Sequence, residues 1–133
     1  MSSTHLVLPD PEGRLDLELP LDRDLHKALV KAVLGWTGNP VLPPADLQQI
    51  ALLLTGTARA VAADVRRVAD LLPEDHAARA LADVVLEEAD RRLSALPEGT
   101  AGCAQDRARL VRALYERLDR LAAVAPQTVT AAI

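Results

Sequence analysis

The three histidines are the first candidates for chemistry, because imidazole serves both as a general base and as a metal ligand. His5, His26 and His76 stand in three separate stretches of the chain. A di-metal site in a helical bundle needs glutamates and Glu-x-x-His pairs on facing helices, and no Glu-x-x-His occurs here. His26 follows Asp22 by one helical turn and can meet its carboxylate. We therefore expect solvated histidines, no metal and no other cofactor.

Paired carboxylates are the second candidate, because two neighbouring carboxyl groups can carry out acid–base catalysis. The run LEEADRR places Glu87, Glu88 and Asp90 together. Glu87 and Asp90 point away from the apolar stripe of their predicted helix, where charges are solvated. Glu88 flanks that stripe and can reach an arginine of the next helix. The pattern favours a solvated face over a catalytic site.

Five arginines between residues 107 and 120 raise the question of phosphate binding. Asp106, Glu116 and Asp119 interrupt them, and Tyr115 is the one aromatic residue among them. Nucleic-acid surfaces need an excess of positive charge, whereas the whole chain has a net charge of −4. We expect a solvated or partner-facing surface, with neither nucleic acid nor an anionic membrane as partner.

A nucleophile and a binding pocket remain to be considered. Cys103 is the only cysteine, so no intramolecular disulfide or thiol-rich zinc site can form. It falls on the apolar side of its helix, where a buried thiol is usual, and no histidine is placed to act as its base. Trp36 and Leu110, together with Leu53, are candidates for lining a pocket. No catalytic residue is identified, and the sequence favours a non-enzymatic role without excluding catalysis.

The elements that position these residues are predicted to be helices. The chain of 133 residues has no Phe, one Trp and one Tyr, and its apolar half is mostly Leu, Ala and Val, which suits packed helices. Apolar residues spaced three and four apart predict one short and three long helices, over residues 22–37, 44–72, 73–96 and 102–124. Four helices with short connections predict an all-α fold, an antiparallel four-helix bundle.

The same spacing predicts which face of each helix is buried. The stripes are Leu25, Leu29, Ala32 and Trp36 on the first helix; Ala51, Leu54, Ala58, Val61, Val65, Val68 and Leu72 on the second; Ala78, Leu81, Val85, Ala89, Leu93 and Leu96 on the third; and Leu110, Leu114, Leu118 and Leu121 on the fourth. The third helix is rich in acids and the fourth in arginines, so we expect these two helices to be neighbours.

The two ends of the chain differ from the bundle, which we assign to residues 22–125. Residues 1–21 form an N-terminal arm in which leucines alternate with other residues around the turn sequence PDPEG, as in a hairpin or one extended segment. Residues 126–133 are predicted to be an extended or frayed tail. No basic segment followed by a long apolar run opens the chain, so we expect a cytoplasmic protein.

One stretch of the second helix raises a question of its own. Residues 52–60 read LLLTGTARA, and a glycine inside a helix costs roughly 1 kcal/mol relative to alanine. The side opposite the buried stripe carries small and apolar residues, namely Leu52, Leu53, Gly56, Ala60 and Ala63. We interpret it as a second packing face for the first helix, the N-terminal arm or a second copy.

With Val30 and Leu34, which lie opposite the stripe of the first helix, this face is the predicted interaction surface. It favours a protein partner or a homodimer. The alternative is a ligand-binding or enzymatic bundle that acts on a small apolar molecule.

Four motifs over roughly residues 45–121 carry a family resemblance. They are Leu54 with Gly56; Leu72 with Pro73; Glu88, Ala89, Arg91, Arg92 and Leu93; and Leu110, Arg112 and Leu114. In these motifs the chain resembles a family of small actinobacterial proteins described only as natural-product-biosynthesis proteins of unknown function. Members often carry Asp-His-Tyr late in the last helix, where this chain has Leu118 to Leu121 without a histidine. The resemblance implies a helical accessory protein and supplies no catalytic residue.

Overall fold

A computed structural model describes residues 22–132, with side chains through residue 125, and this range contains four α-helices and no β-strand. The helices are α1 (Arg23–Leu34), α2 (Pro44–Ala69), α3 (Ala77–Leu93) and α4 (Ala101–Ala132). The predicted all-α class is confirmed, and the contacts between helices fit a bundle. The predicted N-terminal arm lies outside the described residues.

α4 is the central element of the bundle. It packs against α2 over the largest interhelical surface, and α1 also lies against α4. α3 lies mainly on α2 and meets α4 over a smaller surface, so the expected α3–α4 contact exists but is not the principal one. Contacts of α1 fall in reverse order along α4, from Arg23 with Asp119 to Val33 with Gln105. This order fits an antiparallel pair, while the antiparallel arrangement of the whole bundle stays a prediction.

The core lies mainly between α2 and α4, where small and branched residues alternate. The predicted stripe of α2 is confirmed, because six of its members are buried and Val68 is partly buried. On α4, Leu110, Leu114 and Leu121 are buried and Leu118 is partly buried. Fully buried alanines, among them Ala51, Ala58, Ala104 and Ala108, leave room for the leucines and valines of the facing helix.

The buried face of α1 differs from the predicted one. Leu25 is 62% exposed, whereas Val30 and Val33 are buried in the common core. α1 has only 12 residues and packs mainly on one neighbour, so a narrow apolar stripe is enough to bury it. Its sequence contains two such stripes, and their spacing alone does not show which one is buried. Val30 thus packs inside this chain, and Leu34 is partly buried against the core.

The stripe of α3 is also shifted. Leu81 and Leu96 are exposed, and Ala82 is buried in the place expected for Leu81. α3 begins at Ala77 rather than at residue 73, because His76 caps it: its Nδ1 accepts a hydrogen bond from the Ala78 amide at 3.0 Å. His76 is therefore a capping residue and not simply a solvated side chain. At the other end of the chain, α4 continues over residues 126–132, where the sequence predicts an extended or frayed tail.

Two predictions about charged residues are corrected near the end of α3. Arg107 of α4 is buried rather than solvated, and it donates to the backbone oxygens of Arg92 at 2.6 Å and Ala95 at 2.8 Å. Carbonyls in the last turn of a helix lack partners within the helix, so a buried guanidinium is satisfied there. Glu88 pairs with Arg91 of its own helix instead of bridging to α4.

Candidate functional site

A polar cluster joins the first turn of α1 to the middle of α4. The Nδ1 atom of His26 lies 2.6 Å from the hydroxyl oxygen of Tyr115, and the two ring centroids are 6.0 Å apart. Tyr115 is only 5% exposed, and the hydrogen bond is part-buried. His26 is therefore tied to the neighbouring helix and is not the solvated side chain that the sequence suggested.

Arg23 completes this cluster from the start of α1. Its guanidinium carbon lies 4.6 Å from the centroid of the Tyr115 ring, within the range of a cation–π contact. The Nη2 atom of Arg23 is also 2.6 Å from Oδ1 of Asp119, which lies one helical turn after Tyr115 on α4. Asp22 caps α1 by accepting a hydrogen bond from the amide of Leu25 at 3.2 Å. The cluster thus fixes the beginning of α1 on α4.

Burial decides the protonation of the His26–Tyr115 pair. Desolvation lowers the pKa of His26 below its usual 6.5, and the nearby Asp22 carboxylate opposes this only in part. Desolvation also raises the pKa of Tyr115, against the influence of Arg23. Both side chains are therefore neutral at pH 7. With the phenol almost fully buried, the pair acts as a tie between helices rather than as an open acid–base site.

A groove with a volume of about 550 Å³ runs beside this cluster, between α1 and α4. Its apolar lining comes from both helices and consists of Val30, Leu34, Val111 and Tyr115. Its charged lining consists of Arg23, Lys27, Lys31, Arg112, Glu116 and Asp119. The volume falls in the range of small-molecule sites, and the lining combines apolar side chains with mainly basic ones.

The predicted pocket residues do not come together. Trp36 is partly buried against the core, Leu53 is exposed, and neither lines the groove between α1 and α4. Leu110 borders a second depression of about 310 Å³ near the start of α4, which Cys103 also lines. The Cys103 sulfur accepts a hydrogen bond from the amide of Glu98 at 3.3 Å. The groove was not predicted from the sequence, although two lysines one turn apart in an acidic chain indicate its basic side.

The outer face of α2, which we define by Leu52, Leu53 and Gly56, is open. A Cβ atom at Gly56 would meet no atom of the described residues within 4 Å. Leu52 is 46% exposed and Leu53 is 54% exposed. The expectation that α1 packs against Gly56 is therefore wrong. Of the other residues predicted for this face, Ala60 is buried and Ala63 is partly buried.

The threonines around Gly56 bond back to their own helix. Thr55 Oγ1 donates to the Ala51 oxygen at 2.7 Å, and Thr57 Oγ1 donates to the Leu53 oxygen at 3.1 Å. Such bonds slightly weaken a helix, and the glycine between them weakens it further. The segment Thr55 to Thr57 is thus a locally weak stretch of α2 beside exposed leucines.

Two further classes of site are absent from the described part of the chain. No group of three or more His, Cys, Asp or Glu side chains there is placed to hold a metal ion. None of the described helices combines the length and the apolar character needed to cross a bilayer. Comparison of the sequence with protein-family models, with curated proteins and with solved structures yields no match.

Proposed function

We propose that this protein is a small helical accessory or regulatory protein that binds another protein chain through the outer face of α2. The observation that carries the proposal is the open position of Gly56 beside two half-exposed leucines. Contiguous apolar surface on a protein often marks an interaction site. The opposite side of the same helix is fully buried, so the core leaves this face free for a partner.

The energetics of Gly56 support this proposal. Alanine would be accommodated there without a clash and would favour the helix by roughly 1 kcal/mol. The packing of residues 22–125 therefore gains nothing from the glycine. A partner whose backbone approaches α2 closely would explain the glycine, because a residue without a side chain leaves room for such an approach.

The setting of this function is proposed from the sequence. The resemblance to the actinobacterial family supports an accessory role in natural-product biosynthesis, in the cytoplasm. The partner is a second copy of this chain or another protein of the same process. The net charge of −4 argues against nucleic acid and anionic membranes as alternatives.

Charge-introducing variants test the proposal. Leu53→Glu places a carboxylate on the outer face of α2, and Val84→Glu, at a valine of α3 that is 61% exposed, is the matched control. Sedimentation velocity over a range of concentrations reads self-association, and quantitative affinity capture from the native host reads other partners. We expect Leu53→Glu to lose the associated chain and Val84→Glu to keep it. Equal association of the parent and of both variants would overturn the proposal.

A second candidate function, the binding of a small molecule with an apolar body, is favoured by the groove between α1 and α4. This groove is built from side chains of both helices and has the volume of a ligand site. It is separate from the outer face of α2, so the two functions are tested by different variants.

A further inference from the structure

The groove between α1 and α4 collects positive charge in an acidic protein. The chain has only two lysines, Lys27 and Lys31, and both line this groove. Arg112 lines it from α4. Within the described residues, none of these three side chains makes a hydrogen bond or an ion pair. The packing of residues 22–125 therefore does not use these three cations.

The carboxylates of the groove do not cancel these cations. Asp119 is already paired with Arg23 at 2.6 Å. Glu116 is the other acid of the lining, against Lys27, Lys31 and Arg112 on the basic side. An excess of positive charge therefore remains at the groove, although the whole chain carries −4. A ligand with a single negative charge suits this balance better than a polyanion, which Glu116 and Asp119 would repel.

The floor of the groove is apolar and fixed. Val111 is fully buried and Val30 is nearly so, and the ring of Tyr115 is held by His26 and Arg23. Because these side chains are ordered by the packing of α1 on α4, the floor is preformed. The apolar surface that a ligand can reach comes from partly exposed residues of the lining such as Leu34, and water in contact with that surface would be displaced favourably by an apolar ligand.

We propose that this groove binds a small amphipathic anion, a molecule with one carboxylate on an apolar chain or ring. The apolar body lies against Leu34, beside the buried Val30 and Val111, and the carboxylate lies among Lys27, Lys31 and Arg112. This inference deepens the second candidate function and is independent of the outer face of α2. Loss of protein association and loss of ligand binding are therefore distinguishable.

In the test, decanoate is titrated into the chain of 133 residues, and binding is read from ¹H–¹⁵N correlation spectra. Decanol supplies the same chain without the charge, and acetate supplies the charge without the chain. We expect decanoate to shift amides of residues 27–35 and 111–116 saturably. Decanol should bind about tenfold more weakly, which corresponds to about 1.4 kcal/mol, and acetate should not saturate. Residues 1–21 contain leucines and carboxylates of their own. The probe must therefore bind to the chain that includes them.

A charge-reversal pair assigns the site. Lys27→Glu with Lys31→Glu should weaken decanoate binding about tenfold and leave decanol binding unchanged. Arg109→Glu with Arg120→Glu makes the same change of net charge on α4 at exposed positions outside the groove, and it should leave decanoate binding near that of the parent. Equal weakening by both pairs, equal affinity for decanoate and decanol, or shifts confined to other surfaces would each overturn the inference.

Discussion

The Nδ1 atom of His26 lies 2.6 Å from the hydroxyl oxygen of Tyr115, and this hydrogen bond joins α1 to α4 across 89 positions of sequence. α1 packs mainly on α4, where Arg23 also pairs with Asp119 and Gln105 donates to the Val33 oxygen. The pair also keeps the ring of Tyr115 in place along the groove. The position of α1, and with it the shape of the groove, therefore depends on this contact.

Tyr115→Phe tests the hydrogen bond while preserving the ring. The variant should be less stable by about 1 kcal/mol, because the part-buried Nδ1 of His26 loses its partner. Urea unfolding measures the change. A double-mutant cycle with His26→Ala should give a coupling energy of about 0.5–1.5 kcal/mol. Additive effects of the two substitutions would show that the contact does not stabilise the fold.

The lowered pKa of His26 predicts a dependence of stability on pH. In the unfolded chain His26 takes up a proton near its ordinary pKa of 6.5, whereas the folded protein takes it up only at lower pH. The contribution of neutral His26 is therefore fully present above pH 6.5, and it is lost as the pH falls through the folded pKa. Thermal melts between pH 8 and pH 5 should show this loss.

His26→Gln is the matched control for the pH experiment. It removes the imidazole of His26 and leaves the other two histidines of the chain in place. The melting temperature of the variant should fall less steeply below pH 6.5 than that of the parent. Parallel curves for the two proteins would mean that burial of His26 does not perturb its protonation.

The buried stripes could be predicted from the sequence where a helix is long and contacts several neighbours. In α2 the repeat extends over many turns and selects one face, from Ala51 to Leu72, that the structure confirms. The short helix α1 has apolar residues on two sides, so the spacing does not select one face. Packing on α4 buries the side with Val30 and Val33. In α3 the structure buries Ala82 and exposes Leu81, and the apolar spacing alone does not distinguish these adjacent residues.

The groove could not be predicted from the sequence because its parts are distant along the chain. Lys27 and Arg112 line the same groove although more than eighty residues separate them. The sequence places each on a helix, but it does not define the rotation of α1 about its axis. Since the predicted face of α1 was wrong, Val30 was assigned to an outer surface instead of to the floor of this groove.

Gly56→Ala and Gly99→Ala should change stability in opposite directions. At Gly56 a Cβ atom meets no described neighbour, so alanine should stabilise the fold by roughly 1 kcal/mol through helix propensity. At Gly99 a Cβ atom would lie 2.5 Å from the backbone oxygen of Pro44, so alanine should destabilise by about 1–3 kcal/mol. Urea unfolding at two protein concentrations measures both. The gain at Gly56 is expected at the lower concentration. Destabilisation there would mean that a segment of the same chain packs on the outer face of α2, whereas destabilisation at the higher concentration alone would mean that a second copy does, as the proposed function requires.

Arg107→Met should lower the free energy of unfolding more than Arg109→Met or Arg107→Lys. Arg107 is 6% exposed, and it donates hydrogen bonds to two carbonyl oxygens near the end of α3. Methionine retains the apolar stem but leaves both oxygens without this donor. Hydrogen bonds to charged groups contribute about 1.5–3 kcal/mol each, so we expect a loss on the order of 2–4 kcal/mol in urea unfolding.

Arg109 is the control for this substitution, two residues away on the same helix. Its side chain is 52% exposed, and its ion pair with Asp106 at 2.8 Å lies within α4. Exposed pairs of this kind contribute about 0–1 kcal/mol, so Arg109→Met should change stability by less than about 0.5 kcal/mol. Arg107→Lys should fall between the two, because an ammonium is a compact donor that lacks the planar fork of the guanidinium. Equal losses at positions 107 and 109 would mean that charge balance, and not the capping of α3, accounts for the effect.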